Sequence, residues 1–296
     1  MLLELPRPKL LLTGASGFLG WHLCQLALPM WDVYGTHNTH AQPIAGVKAI
    51  AIDLTDFQAL KQLVRDLQPS AVIHAAAQSR PNLCQTDPEA TYAINVVAAQ
   101  SLAGLCADTG IPFVFTSTDL VFDGLNPPYR ETDPVCPVNV YGEQKAIAET
   151  QVLERHPTAA ICRMPLMFGM APTAPSFLQG FLRTLRQGQE LRLFCDEFRT
   201  PVSGRDAAVG ILLALNTVQG RIHLGGKERL SRYEFGQLMV EAFQLDPANL
   251  SPCRQAEIPM SAARSPDVSL DSTLAFSLGY NPRFVKDELV ALSACV

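Results

Sequence analysis

Residues 9–23 read KLLLTGASGFLGWHL, and the glycines in this stretch decide how the rest of the chain is read. Lys9–Thr13 is a short apolar run with the length of a buried strand, and Leu19–Ala27 carries the spacing of an amphipathic helix. Between strand and helix stand Gly14, Gly17 and Gly20. A glycine at the strand's end permits a sharp turn, a second lets backbone approach a ligand, and a third lets helix and strand pack in contact. The helix then begins with free N–H groups and the positive end of its dipole. Strand, glycine turn and helix in this order make a cradle for a pyrophosphate, with Gly14, Ser16, Gly17, Phe18, Leu19 and Gly20 as candidate cofactor-binding residues.

Outward from this stretch the alternation continues. Strand patterns fall at Asp32–Gly35, Ala49–Ile52, Ala71–His74, Pro112–Ser117 and Ala159–Cys162, and helical patterns at Phe57–Leu67, Pro88–Asp108 and Val140–Arg155. Strands alternating with helices predict an α/β fold with a doubly wound parallel sheet of Rossmann type, which binds ligands outside the carboxyl ends of its strands. After Cys162 the pattern loosens: helical stretches at Phe177–Gln187, Arg205–Leu215 and Arg232–Phe243 mix with short strands near Leu191–Phe194 and Arg221–Leu224. Residues 1–162 are expected to form the dinucleotide-binding domain. Residues 163–296 are expected to form a smaller mixed lobe, the substrate-binding part, with some segments returning to the sheet layer.

Composition bounds the alternatives. The chain is 48% hydrophobic with a net charge of −5 and has no Lys/Arg run, so nucleic acid is not an expected partner. No apolar stretch of about 18 residues is visible, so no membrane helix is expected. The start, MLLELPRPKLLLTG, is broken by Glu4, Pro6, Arg7 and Pro8 and does not read as a signal peptide. The 8 cysteines are scattered without a C-x-x-C spacing, which predicts reduced thiols in a cytoplasmic protein. Helices Pro88–Asp108 and Val140–Arg155 are candidates for a homodimer face.

The second strand ends in VYGTHNTH, with no Asp or Glu where an NAD site places a carboxylate on the ribose 2′-hydroxyl. Thr36, His37 and Asn38 are donors there instead, so NADP(H) is favoured over NAD(H). His37 and His40 form an H-x-x-H pair with no third ligand nearby, and no metal is expected. Asp53 and Leu54, in AIDLTD, follow the third strand and are candidates for the adenine side, although Asp53 also reads as a helix cap. Ala75, Ala76 and Ala77 follow the fourth strand and are small enough for a dinucleotide to lie against backbone, while His74 also reads as a core histidine.

The stretch FTSTDLVFDG, residues 115–124, ends a strand in hydroxyls. NVYGEQKAIAE then places Tyr141 and Lys145 on one face of a helix. A free phenol has a pKa of about 10, and a nearby cation typically lowers such a value by about 1–3 pH units, making Tyr141 a usable proton donor. A hydroxyl from the strand end holds a substrate carbonyl against the phenol: Thr118 is the candidate, with Ser117 as its competitor on the opposite face of the strand.

In order and spacing, TGASGFLG, DLTD, HAAA, STD and YGEQK resemble the extended short-chain dehydrogenase/reductase family. STDLVFDG, YRETDPVCP and ARSPDVSLD are most similar to its dTDP-4-dehydrorhamnose reductase group. The resemblance implies an NAD(P)H-dependent reductase of a keto group on a nucleotide-activated deoxysugar, with Thr118, Tyr141 and Lys145 as catalytic residues. It further implies that Asn95 supports Lys145 through a water and that Pro165 borders the nicotinamide. Gln78, Arg80, Asp119, Arg163, Arg199 and Arg264 fall on the substrate side together with Thr118. A sugar-nucleotide epimerase or dehydratase shares the triad, although STDL offers only Asp119 where dehydratases carry acidic pairs. A non-catalytic cofactor-binding subunit, like the regulatory subunit of methionine adenosyltransferase, is the reading from another class.

Overall fold

The structure is a computed structural model, and it describes residues 6–38 and 43–295. Residues 1–5, on which the leader reading partly rests, and His40 of the H-x-x-H pair lie outside the described residues. The chain opens with β1 (Lys9–Thr13), α1 (Phe18–Ala27), β2 (Asp32–His37), β3 (Lys48–Ala51), α2 (Phe57–Leu67) and β4 (Ala71–His74). Then α3 (Pro81–Thr86), α4 (Pro88–Tyr92), a π-helical turn (Ala93–Val97) and α5 (Ala98–Thr109) lead to β5 (Phe113–Thr118), α6 (Val140–Arg155) and β6 (Ala160–Met164). Beyond these come β7 (Met167–Phe168), α7 (Phe177–Arg186), β8 (Leu191–Phe194), β9 (Phe198–Arg199), β10 (Val202–Ser203), α8 (Gly204–Thr217) and β11 (Gly220–His223). The chain closes with β12 (Leu230–Ser231), α9 (Arg232–Ala242), β13 (Leu250–Cys253), α10 (Thr273–Ser277) and α11 (Val285–Ser293).

The main sheet is parallel and seven-stranded, in the order β3-β2-β1-β4-β5-β6-β11. It is the doubly wound sheet that the alternating pattern predicts, and strand order reverses between β1 and β4, where such sheets open their ligand crevice. Both faces are covered, so the strands are apolar on both sides and successive residues enter different cores. Leu10, Leu12, Ile73, Val114 and Cys162 point to the layer of α1 and α8. Leu11, Val72, Phe113, Phe115 and Ile161 point to the layer of α2, α5 and α6.

β11 and α8 lie far beyond Cys162 in sequence yet complete the sheet and one helix layer. A separate apolar cluster gathers Leu178 and Leu182 of α7, Phe235 and Met239 of α9, and Val285 and Leu289 of α11 on the carboxyl side. The continuous helix Pro88–Thr109 is, contrary to the expectation from sequence, long and apolar enough by length and composition to cross a membrane. Val96, Ala99, Leu102, Ala103 and Cys106 of this helix pack into the sheet's second layer. All 8 cysteines are free thiols.

Candidate active site

A cleft of about 570 Å³ lies over the carboxyl ends of β1, β2, β4 and β5. Its floor is the glycine turn. Gly14 has φ +71°, and a Cβ on Gly20 would fall 2.1 Å from the Gly14 carbonyl oxygen, so the strand–helix contact requires glycine. The start of α1 has no side-chain cap and no acidic residue in its first turn, which leaves its amides and dipole to a ligand. Gly14, Ser16, Gly17, Phe18, Leu19 and Gly20 line this end. Thr36, His37 and Asn38 line the wall above β2, Asp53 and Leu54 the wall beyond, and Ala75, Ala76, Ala77 and Gln78 the side of β4. Asp53 accepts from the amide and hydroxyl of Thr55, while Asp56 caps α2, so Asp53 is not the helix cap.

Tyr141 and Lys145 close the inner end of the cleft, both buried. Asn139 sets their helix: its side chain accepts from the Gly142 amide, capping α6, and donates to the Ala263 carbonyl at 3.0 Å. The Thr118 hydroxyl accepts from the Leu120 amide at 3.2 Å, donates to Asp119 Oδ1 at 3.2 Å and stands near the Tyr141 phenol. Ser117 lines the cleft while its hydroxyl donates to Glu149 at 2.6 Å, and Thr118 lies buried beside Tyr141 without lining the cleft.

The electrostatics depart from the expectation. Burial, followed by the charge of Asp119, pushes the Tyr141 phenol well above its usual value. Burial also drives Lys145 down to about 7, and its ammonium sits 3.9 Å over the Phe115 ring. The phenol is therefore held protonated, the form a proton donor needs.

Several expected site residues sit elsewhere. The direct bonds of Asn95 go to Gln78 and Gln144. The π-helical turn aims it at Gln78, whose amide donates to Oδ1 at 2.8 Å and whose carbonyl accepts from Nδ2 at 3.1 Å, and at Gln144 Oε1 at 2.8 Å. Such turns recur at functional sites, and this one clamps the loop after β4 to α6. Asp119 and Arg199, both expected on the substrate side, form a buried ion pair with each other. Burial pushes the Asp119 carboxyl up and Arg199 offsets that push. Arg163 is likewise buried, forked onto Glu149 at 2.8 and 2.9 Å, because a guanidinium inside a sheet layer must be neutralised. Pro165 is buried and does not line the cleft, whereas Met164 and Met167 do. Arg80 is exposed at the start of α3, and Arg264 is half-buried near Glu197 and Arg232. His74 is a core histidine, bonded to Thr13 at 2.7 Å and stacked on Phe115. Ser79, Ile94 and, from the hydroxyl-bearing strand end, Thr116 and Ser117 also line the cleft.

A family model described as the RmlD substrate binding domain matches residues 8–292. The chain belongs to this family. Among its curated relatives, methionine adenosyltransferase 2 subunit beta of Xenopus laevis is 31% identical over 290 residues, spanning 94% of this chain and 84% of that protein. The probable low-salt glycan biosynthesis reductase Agl14 of Haloferax volcanii is 30% identical, spanning 95% of this chain and 96% of that protein. A solved structure titled hypothetical dTDP-4-dehydrorhamnose reductase, from Sulfolobus tokodaii, is 30% identical with a TM-score of 0.83 and covers 94% of this chain and 98% of that one. Membership of this family and the parallel sheet bear out the resemblance to extended short-chain reductases.

Proposed function

We propose that this protein reduces a keto group on a nucleotide-activated deoxysugar with NADPH. The observation that carries the reading is the placement of the Tyr141 phenol and the Lys145 ammonium at the inner end of a cleft floored by the glycine turn, with the Thr118 hydroxyl buried near the phenol. The cleft fits a dinucleotide: uncapped helix amides stand at one end, alanines along one wall, and a lysine with no hydrogen-bond acceptor among the described residues at the other end. The wall at Thr36, His37 and Asn38 carries no carboxylate to repel a 2′-phosphate, which favours NADPH over NADH.

When bound, the nicotinamide cofactor supplies the hydride. Thr118 and Tyr141 hold the carbonyl oxygen, and as charge develops there Tyr141 gives up its proton. An alkoxide is a much stronger base than a phenolate, so the high pKa of the buried phenol does not obstruct that transfer. Lys145 orients the ribose and balances the phenolate left behind. Arg264, half-buried near Glu197 and Arg232, and Arg80, exposed at the start of α3, are the cations we assign to the sugar nucleotide's phosphates. In this reading residues 1–162 carry most of the cofactor site and the later lobe supplies substrate contacts.

The test is NAD(P)H oxidation against a panel of 4-keto-6-deoxy sugar nucleotides, with calorimetry of both cofactors. Turnover with tighter NADPH than NADH binding is expected. Tighter NADH binding refutes the cofactor assignment, and inertness toward the whole panel refutes the substrate class. The similarity to methionine adenosyltransferase 2 subunit beta favours one other reading, a cofactor-binding regulatory subunit. That reading predicts nucleotide binding without turnover.

A further inference from the structure

Tyr141, Lys145 and Glu149 follow each other at four-residue intervals along α6, so one helix face carries a phenol, an ammonium and a carboxylate. Glu149 is 1% exposed and belongs to no part of the cleft lining. It accepts from Ser117 Oγ at 2.6 Å, from Arg163 Nε at 2.9 Å and Nη2 at 2.8 Å, and from Arg221 Nε at 2.9 Å. These bonds hold the carboxylate below its usual range in spite of burial. A helix face that needed only to be buried would carry an apolar residue here, since buried ion clusters add little net stability.

The surroundings of Lys145 show what the carboxylate is near. Tyr141 and Glu149 lie on its own helix, His74 on β4, Phe115 on β5 and Cys84 on α3. Burial drives His74 down to about 3 and pushes Cys84 up, so the imidazole and the thiol are both neutral near pH 7. Glu149 is the ionised carboxylate of this group.

We propose that Glu149 is a positioning residue of the site, acting through Lys145: one helical turn away, its carboxylate offsets the lysine's charge inside the fold. The proposal rests on the reading above only in giving that charge a use, the hold on the ribose. Arg163 and Arg221 then set how much of the carboxylate's field reaches the lysine. Arg221 is the adjustable member, since it is 34% exposed and the fold does not need it as a buried counter-ion.

The experiment titrates Lys145 in the apoprotein by carbon-13 NMR of labelled lysines, with Lys145→Met to assign the resonance. Glu149→Gln keeps the shape and removes the charge, and it is expected to move the lysine's midpoint down by about one pH unit. Arg221→Gln is expected to move it up, because a cation facing the same carboxylate is lost. Opposite shifts from two neighbours are not produced by loosened packing. The alkaline limit of NADPH binding should follow each midpoint. Superposed titration curves for the wild type and Glu149→Gln overturn the proposal. If Glu149→Gln does not fold, an unmoved or lowered midpoint in Arg221→Gln overturns it instead. Shifts of the expected signs in a protein that reduces no keto sugar support the proposal and sink the reductase reading, so the two fail separately.

Discussion

At the scale of single residues, the chemistry-bearing groups were legible where spacing along one element fixes them. Tyr141 and Lys145 share a face of α6 because helices repeat every 3.6 residues, and Thr118 ends a strand whose neighbour in the sheet is already assigned. Residues whose partners come from distant sequence were not legible. Asp119 and Arg199 stand 80 positions apart, and their pairing depends on how the later lobe folds back over the sheet. Arg163 read as a substrate contact and is instead the counter-ion of Glu149, since a motif shows that an arginine is present but not what neutralises it. The residue that separates enzyme from binding subunit is Thr118. Thr118→Val keeps the side chain's shape and removes the hydroxyl that stands near the phenol and accepts from the Leu120 amide. Leaving that buried amide unpaired should cost about 1–3 kcal/mol, read as a lower Tm. Turnover should fall about 10²-fold, the scale for losing one donor to a developing oxyanion, with NADPH affinity unchanged. A parallel loss of affinity and turnover would make Thr118 a structural residue, and unchanged turnover would remove it from the mechanism.

At the scale of elements, the long periodic segments were legible and the short ones were not. β1 to β6 and helices α1, α2, α5 and α6 fall within a few residues of their sequence patterns, because each buries enough apolar side chains to impose a period. The two-residue strands β7, β9, β10 and β12 have no period to show, and tertiary pairing alone makes them. One device at this scale also escaped the motif reading. Gly142 has helical backbone and needs no glycine for its dihedrals, but a Cβ on it would fall 2.1 Å from the Leu120 carbonyl oxygen. The glycine lets the start of α6 rest on the backbone just past Thr118, which is how phenol and hydroxyl come within reach. Gly142→Ala should therefore push α6 off that backbone, destabilise by about 1–3 kcal/mol and abolish most turnover. Gly180→Ala, on α7 where the added methyl meets nothing within 4 Å, is the control and should stabilise by about 0.5–1 kcal/mol. Equal Tm and turnover in Gly142→Ala and the wild type would show that the contact is slack and that the approach of α6 to β5 is set elsewhere.

At the scale of the molecule, the fold is joined at its seams by neutral histidines, and this sets its response to acid. His22 lies where α1 meets α8, with its ring against Gly204. His74 lies mid-sheet between Thr13 and Phe115, and His223 ends the edge strand β11 between Arg163 and the Tyr129 carbonyl. Burial drives their values from 6.5 down to about 4, 3 and 4 respectively. In the unfolded chain all three titrate near 6.5, so between that pH and about 4 the unfolded state binds more protons than the native one. The stabilisation from keeping them neutral is fully present above pH 6.5 and is lost as pH falls through the folded values. Each histidine contributes a slope of about 1.4 kcal/mol per pH unit, hence about 4 kcal/mol per unit for the three, against a total stability of about 5–15 kcal/mol. Glu288, whose carboxyl burial pushes up, works in the opposite direction, but only as the pH nears the carboxylate range. The apoprotein should thus hold its Tm above pH 7, lose it steeply below pH 6.5 and unfold near pH 5, well above the pH at which its paired carboxylates protonate. Denaturant melts at half-unit steps from pH 7.5 to 4.5 measure the slope, and His74→Gln should lower it by about one proton, a third of the total. A stability that stays level from pH 7 to 5, or a His74→Gln slope equal to that of the wild type, would show that these rings take up protons in the native state and are not neutral ties across the seams.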